Sequence, residues 1–398
     1  MPRLGVVVLA VVVGLAAPVF AQTPPAATAD DCLVCHGDPS AARDDGRTVA
    51  VDGPAYAASI HGVLACVDCH QALSTVAEFP HAAKLKPVDC ASCHDDAVRT
   101  YGAGAHALAR ARGGALAATC VDCHGTHDIR PSSDAASRTH HLKLPETCGR
   151  CHGDPRVISQ GPIEIGNVFA PYQDSIHGRA ISRSGLIVAP NCSDCHGSHD
   201  VQRRKDPASP VHRTNVPATC GTCHEGIAAH YRDSVHGAAV ASGDLKAATC
   251  VDCHTAHAVQ RADTDAWQLA AIAECGTCHA ESMRTYRDTF HGKITELGFT
   301  RVAACADCHS AHAILPASNP ASTVSEARLV STCGACHPGA NASFVAYDPH
   351  PDPRNYDRSP VLWWVYRFYT VLIAGCFGVF GLHSVLWFRR SRLERRRP

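Results

Sequence analysis

The chain has 398 residues, of which 23 are Cys and 27 are His, while aromatic residues make up only 6%. That balance excludes an ordinary soluble enzyme composition and argues that something other than large side chains fills the interior. The formal net charge of −1 hides an asymmetry: without Arg3, Arg367, six tail arginines and Glu394, 28 basic residues face 36 acidic ones. Such a surface is unsuited to nucleic acid, which wants a basic patch.

Residues 1–21 begin with one basic side chain, Arg3, continue as an apolar run from Leu4 to Phe20, and end in Val19-Phe20-Ala21. This pattern predicts a secretory signal peptide. Residues 22–358 then carry one motif eleven times. It reads Cys32-Leu-Val-Cys35-His36, Cys66-Val-Asp-Cys69-His70, Cys90-Ala-Ser-Cys93-His94, Cys120-Val-Asp-Cys123-His124 and Cys148-Gly-Arg-Cys151-His152. It continues as Cys192-Ser-Asp-Cys195-His196, Cys220-Gly-Thr-Cys223-His224 and Cys250-Val-Asp-Cys253-His254. The last three are Cys275-Gly-Thr-Cys278-His279, Cys305-Ala-Asp-Cys308-His309 and Cys333-Gly-Ala-Cys336-His337. Cys376 alone lies outside these motifs.

Two thiols three positions apart on one helical turn match the two vinyl groups of a porphyrin. The adjacent His then lies beneath the ring and supplies an axial nitrogen to its iron. Eleven repeats predict eleven covalently attached c-type haems. Zinc sites or disulfides would use the cysteines but leave the eleven histidines unexplained.

Of the sixteen further histidines, ten form an internal repeat. One class follows aromatic-x-x-Ser/Thr-x-His-Gly, from Tyr56 to His61, Tyr172 to His177, Tyr231 to His236 and Tyr286 to His291; degenerate copies give His106 after Tyr101 and His350 after Tyr347. A second class sits three residues after a motif histidine: His127, His199, His257 and His312. That spacing cannot easily reach the opposite face of the same ring, so these should cap a neighbouring haem. Leu73 breaks the pattern in the second motif, and His81 is the nearest substitute. The candidate distal ligands then number eleven, one per haem. His140, His141 and His212 stand in reserve, especially for His81.

The unit is thus a two-haem repeat beginning near Tyr56, Tyr101, Tyr172, Tyr231 and Tyr286, after a lone first haem. It predicts a mainly α fold of short helices and Gly/Pro loops, with little or no sheet, in an elongated array whose units touch mainly their neighbours. Facing imidazole nitrogens should lie about 4 Å apart, twice a metal–nitrogen bond of about 2 Å.

Residues 359–388 are long and apolar enough to span a bilayer, with Trp363, Trp364, Tyr366 and Tyr369 at one end and Trp387 at the other. The basic tail 389–398 places the C-terminus in the cytoplasm and the rest outside it. His383 within this span could ligate a b-type haem shared with a partner or lie near a quinone; the plainer reading, that it snorkels or hydrogen-bonds within a helix bundle, is the favoured one.

On these motifs the chain resembles the periplasmic multihaem c-type cytochromes of the cytochrome c3-like and doubled-CxxCH group, over about residues 30 to 350. The resemblance implies low-spin bis-His haems that connect a membrane quinol pool to periplasmic or outer-membrane redox proteins. The segment from Pro360-Val-Leu-Trp-Trp to Gly381-Leu-His383-Ser resembles anchors that associate with a membrane cytochrome b, quinol-oxidising subunit. Both features fit an electron-transfer protein rather than an enzyme. The alternative is a nitrite- or hydroxylamine-type oxidoreductase with one open iron, for which the second or third haem, near Leu73 and His81, is the weak spot.

Overall fold

The computed structural model describes residues 28–76, 79–82, 84–160 and 166–395. The expected signal peptide, 1–21, lies outside the described residues. About half of the described residues, 51%, are helical, and they form no strand beyond one isolated bridge between Ala42 and Thr48. The chain divides into two compact units. One comprises the residues up to Val98 with His124–Pro131; the other comprises Arg99–Cys123 with Ser132 onward.

Local chemistry explains the short helices. The second-position Asp of each Cys-x-Asp-Cys motif sits at the third helical position and accepts from the backbone N–H just before the helix. The bonds are Asp68 to Ala65 (2.7 Å), Asp122 to Thr119 (2.6 Å), Asp194 to Asn191 (2.7 Å), Asp252 to Thr249 (2.6 Å) and Asp307 to Ala304 (2.8 Å). This half of a capping box lets helices as short as Cys192–His196 and Cys250–His254 hold both cysteines on one turn. The following residue has positive φ in all four Cys-x-x-Cys-His-x-x-His copies: Gly125, Gly197, Thr255 and Ser310. The left-handed turn ends the helix and sends the second histidine away from the first.

The aromatic-x-x-Ser-x-His-Gly signature is a helix start. Ser175, Ser234 and Thr289 cap Ile176–Ser182, Val235–Ala241 and Phe290–Glu296 by accepting from Gly178, Gly237 and Gly292 N–H at 3.0, 3.0 and 3.2 Å. Glycine is required at the last position, because an added Cβ would overlap the carbonyl oxygen of Tyr172, Tyr231 or Tyr286. Each tyrosine hydroxyl then donates to the carbonyl two residues before the next Cys-x-Asp-Cys helix: Leu64, Ala118, Pro190, Ala248 and Ala303, at 2.7–3.0 Å. Removing one such hydroxyl, as in Tyr231→Phe, is expected to cost about 1 kcal/mol. A fall of about 2 °C in Tm, followed at the visible absorption band, would register it.

One backbone bond links four of the five segments that carry these histidines to the next repeat: Ile60 to Ile129, Ala105 to Val201, Ile176 to Val259 and Val235 to Ile314 (N–H to carbonyl, 2.7–2.9 Å). Only Ile181, Ala189, Val216, Tyr231, Val240, Met283 and Tyr286 are buried hydrophobics among the described residues. The 35-residue helix Pro360–Glu394 is long and apolar enough to cross a membrane. At 1.5 Å per residue it measures about 52 Å, more than a hydrocarbon core of about 30 Å requires.

Candidate haem sites

Most motif histidines terminate or directly follow their helices, as His124, His196, His254 and His309 do; His94, His224 and His337 lie two or three residues beyond. Ten motif histidines face a second imidazole. The pairs are His36–His81, His70–His127, His94–His61, His152–His106, His196–His257, His224–His177, His254–His312, His279–His236, His309–His350 and His337–His291. Their ring centroids are separated by 5.9 Å at the shortest and 6.3 Å at the longest. Rings in contact would lie closer. Two metal–nitrogen bonds of about 2 Å plus two centroid-to-nitrogen distances of ~1.1 Å sum to roughly 6.2 Å. The gap therefore fits one iron held from both sides. No group of three or more His, Cys, Asp or Glu converges among the described residues, so four-ligand zinc geometry is not what these side chains build.

The pairings follow two rules. A histidine–glycine helix faces the second motif of its own repeat, as His61 faces His94 and His236 faces His279. A Cys-x-x-Cys-His-x-x-His motif instead lends its last histidine backwards to the first motif of the preceding repeat. His127 reaches His70, His257 reaches His196 and His312 reaches His254. His350 serves the last such motif at His309, where no further repeat exists. His124 and His199, the two remaining members of the set, fall in different units and both have interacting neighbours.

His81 is not where the broken repeat suggested. It faces His36 of the first motif, with interplanar angle 13°, and the second and third motifs are served by His127 and His61. Leu73 has no earlier two-motif unit to serve, so its position carries no ligand. The reserve histidines are engaged otherwise. His141 bonds the Ala189 carbonyl (2.8 Å) and Asn191 (3.0 Å), His212 bonds Thr214 (2.8 Å), and His140 lies 3.4 Å from the Leu142 N–H.

Burial favours the neutral, metal-binding form of several of the paired imidazoles. Desolvation lowers His152, His177, His236, His254 and His257, and brings His196 down to about 4, with the His257 ring adding a smaller push. Backbone carbonyls of Val49 and Ala82 take the Nδ1 protons of His36 and His81 at 2.8 and 2.9 Å, leaving Nε2 for a metal. The thiols bring motifs together. Cys32 lies in hydrogen-bonding contact with Cys66, Cys148 with Cys192, Cys220 with Cys250, and Cys275 with Cys305. Apolar side chains such as Val63, Val188, Phe290 and Leu297 stand 74–93% exposed around these sites. They offer surface that a porphyrin would cover.

Sequence reasoning missed several supports. The capping Asp of Cys-x-Asp-Cys recurs in five motifs, and that recurrence was the available signal. Trp267 stacks on His254 at 5.2 Å and Phe344 packs on His337 at 5.0 Å; nothing in their surroundings marks them in advance.

The class these motifs define is that of the multihaem c-type cytochromes. In particular, the chain is similar to the cytochrome c-type protein NrfB of Escherichia coli O6:H1. The two are 28% identical over 137 residues, a span of 33% of this chain and 70% of that protein. No protein-family profile and no solved structure matches the chain.

Proposed function

We propose that the protein is an undecahaem electron carrier. It would pass electrons between a membrane cytochrome b, quinol-oxidising subunit and redox proteins of the periplasm or outer membrane. The observation that carries this reading is the set of ten opposed imidazole pairs, each of which would offer a haem iron two nitrogen ligands. Haem, once attached, supplies a one-electron centre at each motif. Cys32 and Cys35 through Cys333 and Cys336 would anchor the eleven rings, with the eleven motif histidines on one face. His61, His81, His106, His127, His177, His199, His236, His257, His291, His312 and His350 are the proposed distal ligands. The first cysteines of neighbouring motifs lie side by side in four cases, Cys32–Cys66, Cys148–Cys192, Cys220–Cys250 and Cys275–Cys305, which supports close spacing of those sites. The signal peptide and basic tail support a periplasmic placement with the C-terminus in the cytoplasm.

A pyridine haemochrome assay should count eleven haems, and EPR should show every iron low-spin and indifferent to nitrite or hydroxylamine. A high-spin signal that shifts with either compound would instead favour the oxidoreductase reading. EPR should also resolve two populations. Histidine–glycine distal ligands and His350 meet their partners at 34–58°, whereas His127, His257, His312 and His81 lie within 4–28° of parallel. Near-parallel imidazoles split the iron d orbitals most and give rhombic spectra, and widening the angle between the planes raises the largest g value. A spectrum in which every centre shares one largest g value would contradict the two populations.

A further inference from the structure

We propose that electrons cross between the membrane and the haem-bearing region at the His309–His350 site. The inference rests on the electron-carrier reading and adds where in the chain the membrane connects. His350 is only ten residues from Pro360, where the membrane-spanning helix begins. Those residues are folded back rather than extended. The Asp352 N–H donates to Ser359 Oγ (3.3 Å), Ser359 N–H to the Asn355 carbonyl (3.1 Å), and Arg358 pairs with Asp348 at 3.2 Å. Tyr356 packs edge-on against Trp363 of the long helix at 5.6 Å.

The other side of the same loop is fixed to the haem-bearing region. Arg284 forks onto the Asp352 carboxylate at 2.6 and 3.1 Å, and that carboxylate is only 4% exposed. Thr285, 1% exposed, lies 3.1 Å from His350 Nδ1. Two consecutive residues of the helix Ala280–Asp288 thus hold the ligand and its tether together. A paired, buried carboxylate of this kind defines one geometry rather than a range. His81, by contrast, is held by a local carbonyl and belongs to the unit that lacks the membrane helix.

The test uses the full holo-protein in phosphatidylcholine vesicles carrying a lipid-tethered ruthenium photoreductant. Methionine ligation gives a separate optical signature and raises the potential of its haem, so His350→Met and His81→Met each mark one site. After a flash, the methionine-ligated centre of His350→Met should be reduced in the first kinetic phase, and that of His81→Met only after the others. Reversed order, or simultaneous arrival, would overturn the proposal. If neither variant acquires a methionine-ligated low-spin centre, the ligand assignments of the carrier reading fail instead. Asp352→Asn should lower the ratio of rates from tethered and aqueous donors about tenfold; an unchanged ratio would remove the Arg284–Asp352 clamp from the argument.

Discussion

Prepared without haem, the chain is expected to lose nearly all helix except the C-terminal span. Helicity should drop from 51% to about the tenth that 35 of 398 residues supply, as read by far-UV circular dichroism in detergent. The reason is the interior. Seven buried hydrophobic side chains cannot offset the ordering of more than three hundred residues. The motif helices are only four or five residues long in several copies, far below the length at which an isolated helix is stable. Covalent anchoring and axial ligation would have to supply the missing cohesion, as metal binding does in small metalloproteins. A haem-free chain that kept half its helicity and resisted protease would refute this account of the fold.

The second large effect is His257→Met. His257 belongs to the motif starting at Cys250 but faces His196, 61 positions earlier. The altered iron should therefore be that of Cys192–Cys195, not that of its own motif. Exchange of His for Met on a haem raises its potential. A rise of about 120 mV would deepen electron occupancy there roughly a hundredfold, since 59 mV is tenfold for one electron. Redox titration should show one centre displaced upward, and stopped-flow reduction should show a stalled phase behind it. Displacement of two centres, or of none, would contradict the pairing.

How far the sequence reached is clearest at these same residues. The motifs, the long apolar helix and the two-motif period are local patterns, and local patterns are legible because spacing alone carries the chemistry. Which histidine meets which was not legible, since His257–His196 and His312–His254 are contacts between repeats. The spacing predicts that each histidine of the Cys-x-x-Cys-His-x-x-His class serves a neighbouring site, but does not tell which neighbour. The partner is the first motif of the preceding repeat, so at Leu73, which has no such repeat before it, no histidine is needed. The repeated tyrosine was visible, but its hydroxyl target, a carbonyl 8 to 18 positions away, emerges only from the fold.

Backward lending has a consequence for how such a chain can change length. Three times among the described residues a two-motif unit receives an imidazole from its successor, and His350 closes the series at the end. Duplication or loss of a whole unit leaves donors and acceptors balanced. Loss of a single motif removes an acceptor on one side and strands a donor on the other. Gene-level growth is therefore quantised in pairs, and the odd total of eleven motifs reflects a solitary leading one that borrows His81 from outside the pattern.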